Sequence, residues 1–265
     1  AGPAIQFVAQ NLSSDTSMPA VTLTYAQSLD GSIASAGSER VLISGEASMM
    51  MTHQLRTMHD AILIGVGTLL ADDPRLTARL VPGRSPLPVV LDGDLRSPAS
   101  SRLVGGASER GLVIITTDGG PAEKRQRARD LSAIPGVRIL EVPEVEGRAG
   151  RAGRVPLHQA LSVLRREYNC TSVMVEGGKA VIASFLAQPE LVNNFVATVS
   201  PRFIGGLGPS AELAKSYSGT ADALMSIHNM RSCTVGEDIV VYGTPCSACS
   251  AAETNGKNSR TSPGV

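Results

Sequence analysis

The segment DAILIGVGTLLADDPRLTARL, residues 60–80, indicates the fold of this chain more directly than any other stretch. Its apolar run Ala61–Ile64 leads straight into Gly-Val-Gly, a pattern that predicts a short buried strand followed by a turn. A second run of this kind, Thr171–Val175, leads into Glu-Gly-Gly and then into residues with helical spacing. Strands that are apolar throughout and end in glycine are typical of a parallel sheet covered by helices.

Strands and helices alternate on both sides of these two segments. The other predicted strands are Ala20–Gln27, Pro88–Asp92, Gly111–Thr116, Val137–Val142, Asn194–Val199 and Ile239–Tyr242. The predicted helices are Gly45–His59 with Ser44 as N-cap, Ala122–Ser132, Leu157–Tyr168 behind Pro156, and Lys179–Ala187. We therefore expect an α/β fold, a single domain whose mainly parallel sheet is flanked by helices and connected by right-handed crossovers.

The two ends of the chain differ from this pattern. Residues 1–18 show no sustained periodicity, which predicts a loose N-terminal arm. Residues 244–265 are rich in small and polar side chains, which predicts a disordered tail. The folded domain is therefore expected to cover residues 19–243.

The overall composition argues against several classes of protein. The chain has 24 basic and 24 acidic residues and a formal net charge of zero, so it lacks the positive surface that non-specific nucleic-acid binding requires. No apolar run approaches the ~20 residues of a membrane-spanning helix, and the N-terminal residues do not form a secretory signal. Four cysteines in 265 residues are too few for a disulfide framework. We expect a cytoplasmic protein that binds neither nucleic acid nor membranes.

The two glycine-rich turns are candidate ligand sites. Ligands of open α/β sheets bind at the carboxyl ends of the strands, where glycine lets a phosphate approach the backbone and the next helix N-terminus favours an anion. Two such turns favour a ligand with separated polar groups, such as a dinucleotide. Each turn taken alone is more often only a chain reversal. The full Gly-x-Gly-x-x-Gly fingerprint is absent, which argues against an ordinary Rossmann domain.

Polar side chains near the first turn extend this interpretation. Asp72 and Asp73 precede a proline, so they either form a turn or hold a carboxylate against sugar hydroxyl groups. Arg56 and Arg79 carry planar guanidinium groups that suit phosphate, although a lone arginine is often only solvated.

A metal site is not predicted. Residues 245–249 read Pro-Cys-x-x-Cys, which is half of the zinc deaminase signature, but no His-x-Glu occurs in the chain. His53 and His59 are six residues apart on one predicted helix and do not share a face, so we expect both to be structural or on the surface.

Four segments in order resemble one family: VTLTYAQSLDGSIA, ISGE, THQLRTMHDAILIGVGTLLADDPRLTARL and VMVEGGKAVIASFL. They are similar to the riboflavin-biosynthesis reductases. These include the stand-alone fungal and archaeal 2,5-diamino-6-(ribosylamino)-4(3H)-pyrimidinone 5′-phosphate reductases and the reductase domain of the bacterial bifunctional deaminase-reductase. The resemblance covers Val21–Tyr242. It implies a dihydrofolate-reductase-like fold, NADPH as cofactor, a homodimer, and reduction of the ribosyl group of a phosphorylated pyrimidine to a ribityl chain.

The resemblance also implies roles for individual residues. The implied cofactor contacts are Thr68, Asp72, Gly177, Gly178, Lys179, Ala180, Val181 and Ile182. The implied substrate contacts are Arg56, Leu76, Arg79 and Glu176. Glu176 and Asp30, the latter at the mouth of the site, are the candidates for proton transfer in catalysis.

Two features distinguish this chain from many relatives. Ser32 follows Asp-Gly where many relatives carry a basic residue, so Arg40 or Arg56 is expected to replace that charge. No deaminase domain precedes the reductase region, which favours the stand-alone type that reduces its substrate before deamination.

The implied chemistry is hydride transfer from C4 of NADPH to C1′ of the ribose in a ring-opened imine form. Three alternatives remain: reduction of 5-amino-6-(5-phosphoribosylamino)uracil, a pterin reductase, and a non-catalytic nucleotide-binding protein of the same fold. A pterin reductase usually employs a buried carboxylate on an early helix. The early helix of this chain offers only Glu46, in its first turn, which argues against a pterin reductase. The selection of NADPH over NADH is expected near Thr116–Asp118, with Lys124 or Arg125.

Overall fold

The structure is a computed structural model that describes residues 2–12, 17–35, 41–144, 154–206, 208–209 and 225–247. Within these residues nine strands form one sheet. The strands are β1 (Ala20–Ser28), β2 (Ala61–Gly65), β3 (Leu87–Leu91), β4 (Leu112–Thr117), β5 (Val137–Val142), β6 (Ser172–Gly177), β7 (Asn194–Ser200), β8 (Met225–Val235) and β9 (Asp238–Ser247). Their order across the sheet is β5-β4-β3-β2-β6-β1-β7-β9-β8.

Helices cover the sheet. They are α1 (Pro3–Asn11), α2 (Glu46–Thr57), α3 (Val66–Asp72), α4 (Arg102–Gly105), α5 (Ala107–Arg110), α6 (Ala122–Ser132), α7 (Leu157–Tyr168), α8 (Lys179–Leu186) and a 3-10 turn at Pro189–Leu191. In the described part of the chain, no helix is long and apolar enough to cross a bilayer.

The expected α/β architecture is confirmed. Strands β1 to β7 pair in parallel with one another. At one edge β9 pairs antiparallel with β7, and β8 pairs antiparallel with β9. Side chains alternate between the two faces, as Leu63 packs with α7 and α8 while its neighbour Ile64 packs with α3 to α6. Apolar groups therefore cover both faces of the central strands, and the carboxyl ends of these strands are the place where polar side chains can gather.

The N-terminal arm is a correction to the sequence analysis. Residues 3–11 form α1, and its buried side chains Ala4, Ile5 and Val8 pack against α2 and the last strands. Phe7 also contacts Tyr242, with ring centroids 5.4 Å apart. The apolar stripe is only two turns long, so its helical period is too short to stand out in the sequence.

The C-terminal boundary is also a correction. Strand β9 continues to Ser247, so the boundary expected at residue 243 falls inside a strand, and Cys246 pairs with Ser226 of β8. Strand β8 was not expected because most of its side chains are exposed or only partly buried and its sequence shows no buried alternation. Residues 248–265, the rest of the predicted tail, lie outside the described residues.

Two local predictions at helix starts are wrong. The N-cap of α2 is Gly45 and not Ser44, and the Gly45 N–H donates to the carboxylate of Asp238 at 2.8 Å. The expected Gly-Val-Gly turn is the start of α3, with Gly65 as its N-cap. A Cβ at Gly65 would lie 2.7 Å from Val181, so glycine is needed there for the close approach of α8.

Candidate active site

A cleft of about 450 Å³ opens at the carboxyl ends of the central strands. Its walls come from β1, α2, α3, the segment after α3, and the turn between β6 and α8. Of the implied ligand contacts, those that line it are Thr68, Asp72, Gly178, Ile182, Arg56, Leu76, Arg79 and Glu176. The fold thus brings residues from both glycine-containing segments and from the early helix into one place, as ligand sites of open α/β sheets require.

An ion pair between Arg56 and Glu176 lines the cleft. The Nε and Nη2 groups of Arg56 each donate to one carboxylate oxygen of Glu176, both at 2.6 Å. The side chains are 12% and 17% exposed, so solvent screens this pair only weakly. Burial by itself lowers the pKa of Arg56, but the charge and hydrogen bonds of Glu176 outweigh it and raise that pKa above its ordinary value.

A bulge in β6 turns Glu176 toward this pair. Val175 lies opposite Leu63 of β2, but the next residue of β2, Ile64, lies opposite Gly177, so Glu176 is an extra residue in the register. Bulges re-aim one side chain and are frequent beside active sites. The bulge explains how a residue of a buried strand reaches the cleft.

The turn after the bulge requires both of its glycines. Gly177 and Gly178 have positive φ of 72° and 93°, and a Cβ at Gly178 would lie 2.3 Å from the hydroxyl oxygen of Thr68. The Thr68 hydroxyl donates to the Gly177 carbonyl at 3.0 Å, which ties α3 to the turn. Helix α8 then begins at Lys179 without a side-chain cap, so its first N–H groups are free to bind an anion.

The segment between α3 and Leu80 forms the opposite wall. Asp73 and Leu76 have left-handed φ of 41° and 50°, a conformation that costs a non-glycine residue about 1–3 kcal/mol. Arg56 Nη1 donates to the Thr77 carbonyl at 2.8 Å, and the Asp73 carboxylate accepts the N–H of Arg102 at 2.8 Å. Side chains from elsewhere therefore hold this strained backbone in place.

The cleft wall carries three further arginines. Arg102 forms an ion pair with Asp73 at 3.5 Å. Arg75 and Arg79, by contrast, have no side-chain hydrogen bond or ion pair with any described residue, and both line the cleft. Two unpaired guanidinium groups on one wall favour a ligand that carries a phosphate.

His53 is a cleft residue that the sequence analysis assigned only to a structural or surface position. Its Nδ1 accepts the N–H of Leu80 at 3.1 Å, and its Nε2 lies 3.4 Å from Nη1 of Arg56. Burial, together with the charges of Arg56 and Arg79, lowers the pKa of His53 to about 4. The sequence feature that could have predicted this position is the spacing of three residues between His53 and Arg56, which places both side chains on one face of α2.

Several other residues line the cleft although no sequence pattern predicts a place for them in a ligand site. Thr24, Tyr25, Ile33, Ser44, Met49, Thr52 and Thr198 reach the cleft through tertiary packing. Tyr25 packs edge to face with Phe195, and burial raises the pKa of its phenol. A residue of this kind lines a site because of the strand order, which a single sequence does not reveal.

Asp30 does not lie in the cleft. Its carboxylate accepts hydrogen bonds from the Ser28 and Ser32 hydroxyls and from the N–H groups of Ile204 and Gly205. These bonds, led by that of Ser28, hold the pKa of Asp30 far below its ordinary value. Its position therefore supports the joining of two loops and gives no support to a role in proton transfer.

Ser32 likewise serves the loops. Its hydroxyl group donates to Asp30 at 3.0 Å and accepts the N–H of Gly206 at 3.0 Å, and the side chain is buried. A basic residue here would have to leave this pocket. Of its two expected replacements, Arg56 is bound to Glu176, and Arg40 lies outside the described residues.

In the region expected to select the cofactor, the polar side chains are hydrogen-bonded to other groups of the protein. The Thr116 hydroxyl donates to Gly93, the buried Lys124 ammonium donates to the Thr117 hydroxyl at 3.0 Å, and Arg125 donates to the Gly120 carbonyl at 2.6 Å. The described residues contain no cluster that could hold a metal ion. Glu46 is exposed and does not line the cleft.

Comparisons with known proteins agree with this arrangement. Residues 19–241 match the RibD C-terminal domain. Two proteins named 2,5-diamino-6-ribosylamino-4(3H)-pyrimidinone 5′-phosphate reductase are similar over most of their length. The protein of Eremothecium gossypii is 36% identical over 231 residues, which cover 80% of this chain and 89% of that protein. The protein of Methanothermobacter thermautotrophicus is 34% identical over 233 residues, which cover 85% and 98%.

A solved structure supports the same relationship. The riboflavin biosynthesis reductase Rib7 of Saccharomyces cerevisiae superposes with a TM-score of 0.69 at 27% identity, covering 91% of this chain and 98% of that one. The family match begins just before β1 and ends within β9, so it extends over the whole sheet. The resemblance inferred from the sequence is confirmed, and this chain belongs to the RibD C-terminal domain family.

Proposed function

We propose that this chain uses NADPH to reduce the ribosyl group of 2,5-diamino-6-ribosylamino-4(3H)-pyrimidinone 5′-phosphate to a ribityl chain. The observation that carries the proposal is the arrangement of one cleft. Its lining combines the Arg56–Glu176 ion pair, the glycine turn that precedes the N-terminus of α8, and two arginines without a partner among the described residues. The substrate is the one in the names of the relatives at 36% and 34% identity.

The side of the cleft formed by α3 and α8 fits a nicotinamide dinucleotide. Glycine at position 178 lets the turn lie directly against Thr68, because a Cβ there would meet the Thr68 hydroxyl group. The free N–H groups at the start of α8 suit a pyrophosphate, and the exposed carboxylate of Asp72 suits a ribose hydroxyl group. Thr68, Asp72, Gly177, Gly178 and residues 179–182 would hold the cofactor. When bound, it supplies the hydride for the sugar carbon.

The opposite wall would hold the substrate. Arg79 and Arg75 face the cleft without partners and would bind the phosphate, and the buried Leu76 would pack against the pyrimidine or the sugar. Because both ends of the substrate are then fixed, the sugar carbon is held in one orientation, and positioning of this kind can supply about 7–11 kcal/mol of a reaction barrier.

Glu176 would orient the sugar. Arg56 occupies one lone pair on each carboxylate oxygen, so both oxygens retain capacity to accept a hydrogen bond from a ligand hydroxyl group. This arrangement favours Glu176 as an acceptor that aligns the ribose, and Arg56 as the group that fixes Glu176.

The direct test is oxidation of NADPH by the purified protein with two substrates, the diaminopyrimidine ribosyl phosphate and 5-amino-6-(5-phosphoribosylamino)uracil, and with NADH as the control cofactor. We expect turnover with NADPH and the diaminopyrimidine. Turnover only with the uracil compound would place the reaction after deamination. Binding of NADPH without turnover of either compound would indicate a non-catalytic protein.

Two expectations about oligomeric state and cellular location accompany the proposal. We expect a homodimer and a cytoplasmic location, as the family resemblance implies. Light scattering coupled to size-exclusion chromatography measures the first, and fractionation of the native host measures the second. A monomer at micromolar concentration would contradict the former.

A further inference from the structure

Arg110 hydrogen-bonds to the backbone of the cleft wall that carries Arg75 and Arg79, although it does not line the cleft itself. It is the last residue of α5, and its Nη1 and Nη2 groups donate to the carbonyls of Leu76 and Arg75 at 2.9 and 2.7 Å. Leu76 is the residue with φ of 50°, and it is 3% exposed. One guanidinium thus bridges two successive carbonyls at the strained point of the segment between α3 and Leu80.

The same arrangement occurs once more within the described ranges. Arg127 of α6 donates from Nε and Nη2 to the carbonyls of Leu95 and Asp94, both at 2.9 Å. Leu95 has φ of 53° and is fully buried. Neither Leu95 nor Arg127 lines the cleft, so this second clamp has the geometry of the first without its place beside a ligand site.

Arg110 differs from Arg127 in that its charge lies near Arg56 and the cleft. It has no carboxylate partner among the described residues, and burial together with the nearby positive charge of Arg56 lowers its pKa. Arg56 is neutralised by Glu176. Arg110 therefore adds uncompensated positive charge behind the two unpaired arginines, a location that a bound anion would stabilise.

We infer that Arg110 is a positioning residue for the phosphate of the substrate. It fixes the left-handed turn at Leu76, so that Arg75 and Arg79 are presented to the cleft together, and it adds to their positive field. This inference rests on the proposed function, because it assigns the anion at this wall to the substrate phosphate.

The test compares R110Q with R127Q, which loses the same kind of clamp outside the cleft. For R110Q we expect the KM for the phosphorylated substrate to rise about tenfold, as expected for losing charged hydrogen bonds, while kcat changes less than about twofold. The KM for the dephosphorylated ribosylaminopyrimidine should stay within about twofold of wild type. R110K should fall in between, since lysine keeps the charge but lacks the planar fork.

Two outcomes would overturn the inference. An equal rise in KM for the phosphorylated and dephosphorylated compounds would indicate a general loss of structure. A rise of the same size in R127Q would show that any lost clamp has this effect.

A binding measurement keeps the inference testable if the reaction itself is misassigned. Ribose 5-phosphate should raise the thermal midpoint of the wild type and of R127Q, because a ligand of the folded state stabilises it. It should raise that of R110Q much less. If all three proteins respond equally, Arg110 does not position the phosphate. If they differ as expected while no substrate is turned over, the proposed reaction fails and the phosphate site stands.

Discussion

At the scale of single residues, Glu176 is the carboxylate that lines the cleft and pairs with Arg56. For Glu176→Gln we expect kcat to fall about a hundredfold, because the neutral amide loses the charge that fixes Arg56 and misaligns the sugar. Steady-state kinetics at saturating NADPH measure this. Glu167→Gln, an exposed change on α7, should keep wild-type turnover. Unchanged turnover in Glu176→Gln would remove this residue from the mechanism.

Gly178 offers a residue-scale test of the cofactor side. Alanine there would be strained at φ of 93° and would place its Cβ against the Thr68 hydroxyl, so we expect NADPH affinity to fall more than about tenfold. Fluorescence titration of NADPH measures the affinity. Gly31→Ala is the matched control, because Gly31 also has positive φ but nothing lies within 4 Å of a Cβ there. Equal losses of NADPH affinity in both variants would mean that backbone strain alone is responsible, and not the contact between the Gly178 turn and Thr68.

Arg79 tests the substrate side at the same scale. Arg79→Ala should raise the KM for the phosphorylated substrate about tenfold or more, since it removes an unpaired cation from the cleft wall. The exposed Arg84, which pairs with Asp60 at 3.6 Å, supplies the control variant Arg84→Ala. A KM for Arg79→Ala equal to that of the control would show that the phosphate binds elsewhere.

At the scale of secondary-structure elements, α1 is an integral part of the domain. Ile5 is 4% exposed and packs in the cluster between α2 and the last strands. We expect Ile5→Ala to lower the free energy of unfolding by about 2–5 kcal/mol, as for other large-to-small core changes. Urea denaturation measures the loss. The exposed Gln10→Ala, on the same helix, should stay within about 0.5 kcal/mol of wild type. Similar losses in both variants would mean that burial of the Ile5 side chain is not what makes α1 part of the domain.

Elements with strong periodicity were predictable, and those defined by tertiary contacts were not. The bounds of α7 follow from its sequence, because an apolar stripe and a proline just before its first residue mark it. The predicted bounds of α6 also match, although this helix has no apolar stripe and buries only Lys124 and Leu131. The helix α1 is too short for such a stripe. The bulge at Glu176 and the left-handed turn at Leu76 depend on partners far along the chain, so no local pattern announces them.

At the scale of the whole molecule, stability should fall as the pH drops below neutrality. His59 is buried between the Leu55 carbonyl and the Thr22 hydroxyl, and burial lowers its pKa from the ordinary 6.5, as it does for His53. The folded state therefore keeps these histidines neutral while the unfolded state takes up protons below about pH 6.5. Each histidine costs at most about 1.4 kcal/mol per pH unit in that window.

Urea unfolding at about pH 7.5 and at about pH 5.5 measures this effect, because both values lie within the range of roughly pH 5–8 in which histidine titrates. The carboxylates with lowered pKa, such as Asp30 and Asp60, lose their contribution only below their ordinary 3.8, outside this interval. His59→Gln should reduce the pH dependence, and the exposed His158→Gln should retain it. Equal pH dependence in wild type and His59→Gln would contradict the assignment.

The whole-molecule arrangement was only partly accessible from the sequence. The class of the fold followed from the alternation of strands and helices. Eight of the twelve residues to which the family resemblance gives a ligand role line one cleft, whereas Gly177, Lys179, Ala180 and Val181 are not among its lining residues. The strand order, which places Thr24 and Tyr25 of β1 in the cleft, did not follow, because pairing partners are chosen by packing of whole faces. The exclusion of Asp30 from the cleft is a consequence of the same packing.

The position of β1 at the middle of the sheet has a consequence for how the chain is made. Its two neighbours, β6 and β7, are among the last strands to be synthesised, and Thr22 pairs with Asn194, 172 residues later. Contacts so distant in sequence close slowly, and an apolar strand without partners is prone to aggregate. In the nascent chain, β1 therefore lacks both of its neighbours until β6 and β7, at residues 172–200, have been synthesised. We expect its yield in a heterologous host to depend on chaperones and growth temperature more than on the stability of the finished fold.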